Sequence, residues 1–447
     1  MSYFPKERSA GLSAGETIVR RSRPGRTGGG VLTQRLFFAK VSDRGIEDAC
    51  SSGHARYSIR SLLLAASFSV IAIMPAFAQT SFIPGTELNF QGYVMEMPVY
   101  ENIHPTLAQL TGVSPSEFSD LIRLRFRPTL HIGDNTKIGL AYEVDGLYYS
   151  QNISFGLAST TPLRQIVGLR WQPVDLKHAT VSDYIDRLYL DQEFSFGTLV
   201  IGRQRISWGT GRVWNPTDIF NPINPADFGK IEKDGADAVS MKFYLGQLTD
   251  IQVVYNSEYH FESSNYAARF RTDILGYDLA VLGGSLDREM IAGGDFAGNV
   301  WTAGIRGEAL VSQDPAKSGG YYVNWILGMD YQFTDKLYGL FEYYHNGEGT
   351  LDKAKYDIIG LYEGRILNVA KDYLALSGTY QLTPLVTVAL SSISNFSDGS
   401  GYLAGTITYS ASNNASVALG SLYTFGKTLT EYWYYPQAYY LKLETYF

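Results

Sequence analysis

One cysteine, Cys50, is all that 447 residues contain, so disulfides, thiol nucleophiles and thiolate-bound metals are excluded from everything beyond residue 78. Long apolar runs are also missing. After residue 78 no stretch approaches the roughly 18 apolar residues of a spanning helix, so any membrane crossing has to be made by strands. Basic charge is scarce as well. Of 37 Lys and Arg, 11 precede residue 79, as do 5 of the 44 Asp and Glu; residues 79–447 therefore carry 26 basic and 39 acidic side chains, a formal net of −13. Nucleic acid is not an expected partner of such a chain. His104, His131, His178, His260 and His345 are scattered singly, with no HExxH or H-x-x-H spacing and no G-x-S-x-G. No phosphate loop or metal-ligand cluster stands out, and Asp314, Asp352 and Asp398 read as solvated loop carboxylates. Catalysis, a cofactor and a metal are therefore not expected.

What the chain has in abundance is alternation. The last twelve residues, from Pro436, read P-Q-A-Y-Y-L-K-L-E-T-Y-F: Tyr439, Leu441, Leu443, Thr445 and Phe447 fall on one face, and Tyr440, Lys442, Glu444 and Tyr446 on the other. A period of 2 running to a terminal aromatic suits the closing strand of a membrane barrel, apolar towards lipid and polar towards the interior. In sequence it resembles the C-terminal signal read by the bacterial barrel-assembly machinery, with Tyr439, Leu441, Leu443 and Phe447 as the residues recognised.

Nearer the other end, Arg56 and Arg60 precede a 13-residue apolar run from Leu62 to Met74, followed by Pro75-Ala-Phe-Ala78. A basic start, a short apolar core and an A-x-A box make 56–78 a secretory signal peptide, too short to span a bilayer, with Gln79 the first mature residue. Residues 1–55, rich in Arg, Ser and Gly without a period, read as a non-native or disordered extension. Residues 79–447 read as one outer-membrane domain.

That domain reads as a procession of strands at 88–97, 121–131, 137–148, 184–194, 198–208, 238–245, 250–259, 268–274, 277–286, 300–311, 321–333, 337–345, 373–382, 385–396, 402–410, 416–425 and 438–447. Tight turns such as 133–136, 334–335 and 412–414 alternate with long connections such as 98–117, 150–183, 209–235 and 347–371. This is the asymmetry of short periplasmic turns and long external loops. Seventeen strands cannot close such a barrel, and up–down parity fails between 277 and 333. The fold class expected is all-β: a single transmembrane antiparallel barrel of 16 or 18 strands, its last strand paired with the first. Outer-membrane lipid is then its surrounding.

Arginines mark the wet side. Arg123, Arg125 and Arg127 alternate with Ile122, Leu124 and Phe126. An arginine facing lipid near the midplane costs about 2–4 kcal/mol, so the three belong inside. Across the turn Glu143 and Asp145 share the inner face, and matching apolar to apolar pairs Arg127 with Glu143 and Arg125 with Asp145. A second hairpin around Phe196-Gly197 places Arg187, Asp191 and Glu193 inside with Arg203 and Arg205, Asp191 being the expected partner of the second pair, while Gln192 and Gln204 fall awkwardly on the lipid side. Arg269 and Arg271 repeat the alternation. These twelve charged residues are the expected pore lining, either contacting solute or only pairing charges within the wall.

From Gly202 the chain reads G-R-Q-R-I-S-W-G-T-G-R-V-W-N-P-T-D-I-F-N-P. This is a strand ending at Trp208 and then a loop stiffened by Pro216, Pro222 and Pro225, built to hold a shape. Folded inward it would narrow a pore; folded outward it would be a cap. Here the chain resembles a little-characterised, porin-like family of Gram-negative outer-membrane barrels marked by G-R-Q-x-x-x-W-G and P-x-D-x-x-N-P, carried by Trp208, Gly209, Pro216, Asp218, Asn221 and Pro222. Asp330-Tyr-Gln-Phe and Glu342-Tyr-Tyr-His-Asn-Gly347 match it further, and G-R-Q alone is distantly like alginate-export and phosphate-selective porins. The resemblance implies a barrel more firmly than a substrate. The function expected is a porin-like channel for diffusion or export of small polar solutes, anionic ones included. The alternatives are a surface-binding or envelope-assembly barrel with a plugged interior and, third, a barrel enzyme.

Overall fold

In the computed structural model the residues described are 79–80, 84–150, 164–221, 232–258, 264–313, 319–362 and 366–447. The expected signal peptide and the extension before it, together with Pro222, Pro225, His260 and Asp314, lie outside them. The strands are β1 (Gln79–Thr80), β2 (Thr86–Asn102), β3 (Ser116–Ile132), β4 (Thr136–Tyr149), β5 (Arg170–Leu176), β6 (Ala179–Phe194) and β7 (Gly197–Gln204). Then come β8 (Ala236–Tyr244), β9 (Asp250–Asn256), β10 (Asn265–Ile274), β11 (Tyr277–Leu286), β12 (Glu289–Val300), β13 (Ala303–Gln313) and β14 (Tyr321–Gln332). The last are β15 (Leu337–Asn346), β16 (Asp372–Thr383), β17 (Val386–Asn395), β18 (Ser400–Ser410), β19 (Ala415–Phe425) and β20 (Gln437–Tyr446).

Eighteen of these form a closed antiparallel barrel, each paired to its neighbours and β20 returning to β2. β1 and β5 are short additions alongside β2 and β6. The seventeen segments legible in the sequence all correspond to barrel strands. The eighteenth is β12, which restores the parity lost between 277 and 333. It escapes a reading by alternation because Gly293, Gly294 and Gly298 sit where large residues would mark a face. The glycines are needed: a Cβ on Gly293 would lie 2.4 Å from the Ala309 carbonyl oxygen.

Direct cross-strand partners share a face, so register separates inside from outside. Leu190 faces Ile201 and Ile201 faces Val239, and all three are exposed on the outer wall. Inside, one buried apolar group gathers Tyr93, Met95, Leu121, Ile326, Tyr344 and Tyr373; another gathers Ala238, Val254, Leu282, Ile291 and Leu310. Both pack against the chain that follows β7.

The seam depends on one close approach. Gly92 and Phe447 exchange backbone hydrogen bonds of 2.9 and 3.0 Å, and a Cβ on Gly92 would fall 2.5 Å from the Phe447 ring. Phe447 shares the outward side with Tyr439, Leu441 and Leu443, all three of them exposed. Gly92→Val should therefore cost about 1–3 kcal/mol or more through overpacking, and should reduce the compact, heat-modifiable form seen on electrophoresis. Gly378→Val is the control, since the nearest atom to its Cβ is 3.9 Å away, and it should assemble as the parent does.

Candidate functional site

β7 is short because its chain leaves the wall. After Gln204 the residues expected to continue the strand to Trp208 turn inward, so Ile206 and Trp208 are buried within the second apolar group. The gap in the wall is filled from elsewhere: Leu169 accepts the Ile185 N–H at 3.0 Å, Arg164 accepts the Asp237 N–H at 2.9 Å, and β5 continues beside β6. Lost ladder bonds are thus replaced, as a membrane wall requires.

The segment reaches across to β13 and β15, where two buried carboxylates hold its backbone. Glu342 accepts the N–H groups of Arg212, Val213 and Trp214 at 2.8, 3.0 and 2.7 Å. Glu308 accepts from Gly211 N at 2.6 Å, from Thr217 N at 3.0 Å, from the Thr217 hydroxyl at 2.7 Å and from Thr210 N. Successive N–H groups turned to one side make an anion-binding concavity, here occupied by the wall's own carboxylates. Gly209, at φ +82°, adopts a backbone that only glycine takes without cost, and a Cβ on Gly211 would meet the Trp214 carbonyl oxygen at 1.8 Å.

Side chains complete the hold. Trp214 stacks on Tyr344 at 5.3 Å and donates from Nε1 to Asn368 Oδ1 at 3.0 Å. Trp208 meets Phe220 edge-on and donates to Gln252 at 2.9 Å. Asn221 accepts the Ile206 N–H at 2.7 Å and donates to the Asp234 carbonyl, while Asp218 pairs with Lys233. Burial pushes the Asp218 carboxyl up to about 6, against the pull of Lys233. Pro216 sits between Trp214 and the captured Thr217.

The structure places the predicted charges as follows. Arg123, Arg125 and Arg127 share the inner face of β3, but the register is displaced by two residues from the expected one, because the strands pair along Arg123–Asp145 and Arg125–Glu143. Arg123 donates to Asp145 at 2.8 and 2.9 Å; Arg125 binds Glu143 at 2.6 Å and also Asp186; Arg127 reaches Glu232 at 2.9 Å rather than Glu143. Arg269 pairs with Asp295 at 2.9 Å and Arg271 with Asp250 at 2.7 Å.

Arg203 departs from expectation. The two-residue turn at 195–196 sets it opposite Leu188, which is 44% exposed, and so on the outward side of the ladder. There it is 3% exposed and pairs with Asp237 at 2.7 Å, not with Asp191. It also donates to the Ile185 and Val167 carbonyls, tying the substitute wall segment in place. The same slip turns Gln204 inward, while Gln192 bonds Thr136 near the short-turn end. Arg205 lies beyond the strand, exposed within the barrel. Asp191 faces Lys137 across the ladder, and Glu193 is exposed near the turn.

Several residues that matter carry no sequence signal of their own. Asp186 is the extra residue of a bulge opposite Ala141 and Tyr142; it receives Arg125, Arg187 and the Gly235 N–H. Glu308 and Glu342 look like any inward acid until the segment is seen on them. His345 lies 2.7 Å from Asp372 on the outward side, stacked with Trp325, and His104 caps helix α1 (Pro105–Thr111).

Below the inward segment, towards the short-turn end, lies a cavity of about 470 Å³. Its charged lining comprises Arg125, Arg127, Arg187, Arg205 and Lys242 against Asp191 and Glu232. No protein family and no curated protein matches the chain. Among solved structures it is similar in fold to Acinetobacter baumannii OccAB1, at 8% identity and TM-score 0.52 over 83% of this chain and 98% of that one. It is also similar to OccAB3 of the same organism (9%, 0.52, 82% and 100%) and to Pseudomonas aeruginosa OccK9 (OpdG) (11%, 0.52, 82% and 99%). At such identities the likeness is one of fold.

Charge burial yields two expectations. Arg125→Ala takes one of two arginine partners from each of Glu143 and Asp186, both buried, leaving Arg123 on the first and Arg187 on the second, and should cost about 1.5–3 kcal/mol in denaturant unfolding. Arg127→Ala, whose side chain is 35% exposed, should cost about 1 kcal/mol or less. The second concerns Glu431, between β19 and β20, which accepts from Tyr373, Asn395 and Asn368 at 2.7, 2.8 and 3.3 Å. Burial pushes its carboxyl up to about 7, so between pH 4.5 and 7 the folded protein holds this proton more tightly than the unfolded chain. Stability should then fall as pH rises through that window. Glu431→Gln should flatten the decline in Tm measured from pH 5 to 8.

Proposed function

We propose that the chain is a porin-like channel of the outer membrane that passes small polar solutes, anionic ones included, by diffusion or export. The observation that carries this reading is the charged cavity inside a closed barrel, beneath a segment folded across it. Arg125 and Arg187 are matched locally by Asp186, which leaves Arg127, Arg205 and Lys242 facing the space with Asp191 and Glu232. Opposed charges with a basic excess, enclosed by low-dielectric walls, give a field that favours polar and anionic solutes.

A second reading has one observation in its favour. Trp208 and Trp214, 2% and 1% exposed, pack the inward segment against both apolar groups, as a plug would, and a plugged barrel would serve by binding partners at its long loops. Planar-bilayer recording separates the two. The channel reading expects discrete openings with anion preference in a salt gradient, and Arg127→Ala with Arg205→Ala should move the reversal potential towards cations. A purified, heat-modifiable barrel that never conducts would favour the plugged alternative.

A further inference from the structure

We infer that Glu308 and Glu342 are positioning residues: they hold the inward segment across the barrel and thereby fix Arg212 as the charge that a solute meets at the narrowing. This rests on the channel reading, and it moves selectivity away from the strand arginines. Arg123, Arg125, Arg187 and Arg203 are all nearly buried, and each is bonded to a carboxylate within the wall, so their fields are largely cancelled where solute would pass. Arg212 is different. Its backbone N–H is captured by Glu342, yet its side chain is exposed inside the barrel, and among the described residues its guanidinium forms no ion pair.

The neighbourhood reinforces that contrast. Arg306 of β13 bonds the Thr210 carbonyl at 3.2 Å and pairs with Asp330, and it is a like-charge neighbour of Arg212. Both glutamates are themselves buried, and among the described residues neither bonds a cationic side chain; the groups that satisfy them are segment N–H groups and the Thr217 hydroxyl. Arg306 attracts Glu342 at longer range, but the hydrogen bonds to both carboxylates come from the segment, and charge-assisted bonds of this kind hold it strongly because letting go would leave buried acceptors unbonded. Position and charge are therefore coupled: the carboxylates choose the path, and the path presents Arg212.

The test uses the full-length chain with Cys50→Ser and a nitroxide spin label on Arg212→Cys. In the parent barrel the label should report a restrained backbone; in Glu308→Ala with Glu342→Ala it should become mobile while the barrel remains heat-modifiable. Should that pair fail to assemble, Gly211→Ala displaces the same segment without altering the wall, and is expected to mobilise the label as well. In bilayers, releasing the segment should raise single-channel conductance about twofold or more, and Arg212→Ala alone should shift the reversal potential towards cations by more than Arg123→Ala does. A label equally restrained in parent and released variants overturns the positioning role. A conducting parent whose conductance and selectivity ignore both changes overturns the placement of the narrowing. If the parent does not conduct, the channel reading fails, and the spin-label comparison still decides whether the two glutamates hold the segment.

Discussion

Every backbone N–H and C=O that faces hydrocarbon must find a partner within the protein, and this shapes the wall at each point where it could have failed. Closure of β20 on β2 removes the free edges, and Gly92 is the place where closure is tightest. The departure of the chain after Gln204 would have opened a second pair of edges, on β6 and β8. Residues 164–176 occupy that space, and Arg203 with Asp237 fastens them there. The inward segment is therefore possible only because another part of the chain replaces the strand it left.

Charge inside the barrel follows from the same low dielectric. The arginines of β3 are not free to act as a simple basic stripe, since each one buried needs a carboxylate at hydrogen-bond distance. Glu143 serves both Arg123 and Arg125, and Asp186 serves Arg125 and Arg187. Such sharing stiffens one side of the barrel and leaves little of its charge for solutes. The charges with more freedom are those of the segment and the cavity, Arg205, Arg212, Lys242 and the half-exposed Arg127.

The segment itself inverts the usual relation of loop to wall. Its shape is set less by its prolines than by carboxylates more than 90 residues away in sequence, which gather its N–H groups from opposite the point of entry. Gly209 and Gly211 permit the path, and the two tryptophans seal it against apolar groups on either side. Strength comes from buried, charge-assisted bonds, and placement comes from the barrel.

The sequence alone determined the strands, because a period of 2 between lipid and water is imposed residue by residue, and it is as visible at 438–447 as at 121–131. It also determined that Arg123, Arg125 and Arg127 face inward, since flanking apolar residues leave them no other side. It missed β12, where close approach to neighbouring strands demands glycine and erases the pattern. Only the tertiary structure decided register: a two-residue shift re-paired Arg125 with Glu143, and a two-residue turn put Arg203 on the other side of the wall from the one alternation suggested. Only it decided that β7 stops at Gln204, that a bulge brings Asp186 to two arginines, and that Glu308 and Glu342 hold a distant backbone. These are long-range pairings. A side chain's type and its neighbours in sequence specify which medium it prefers, but not which partner will be waiting there.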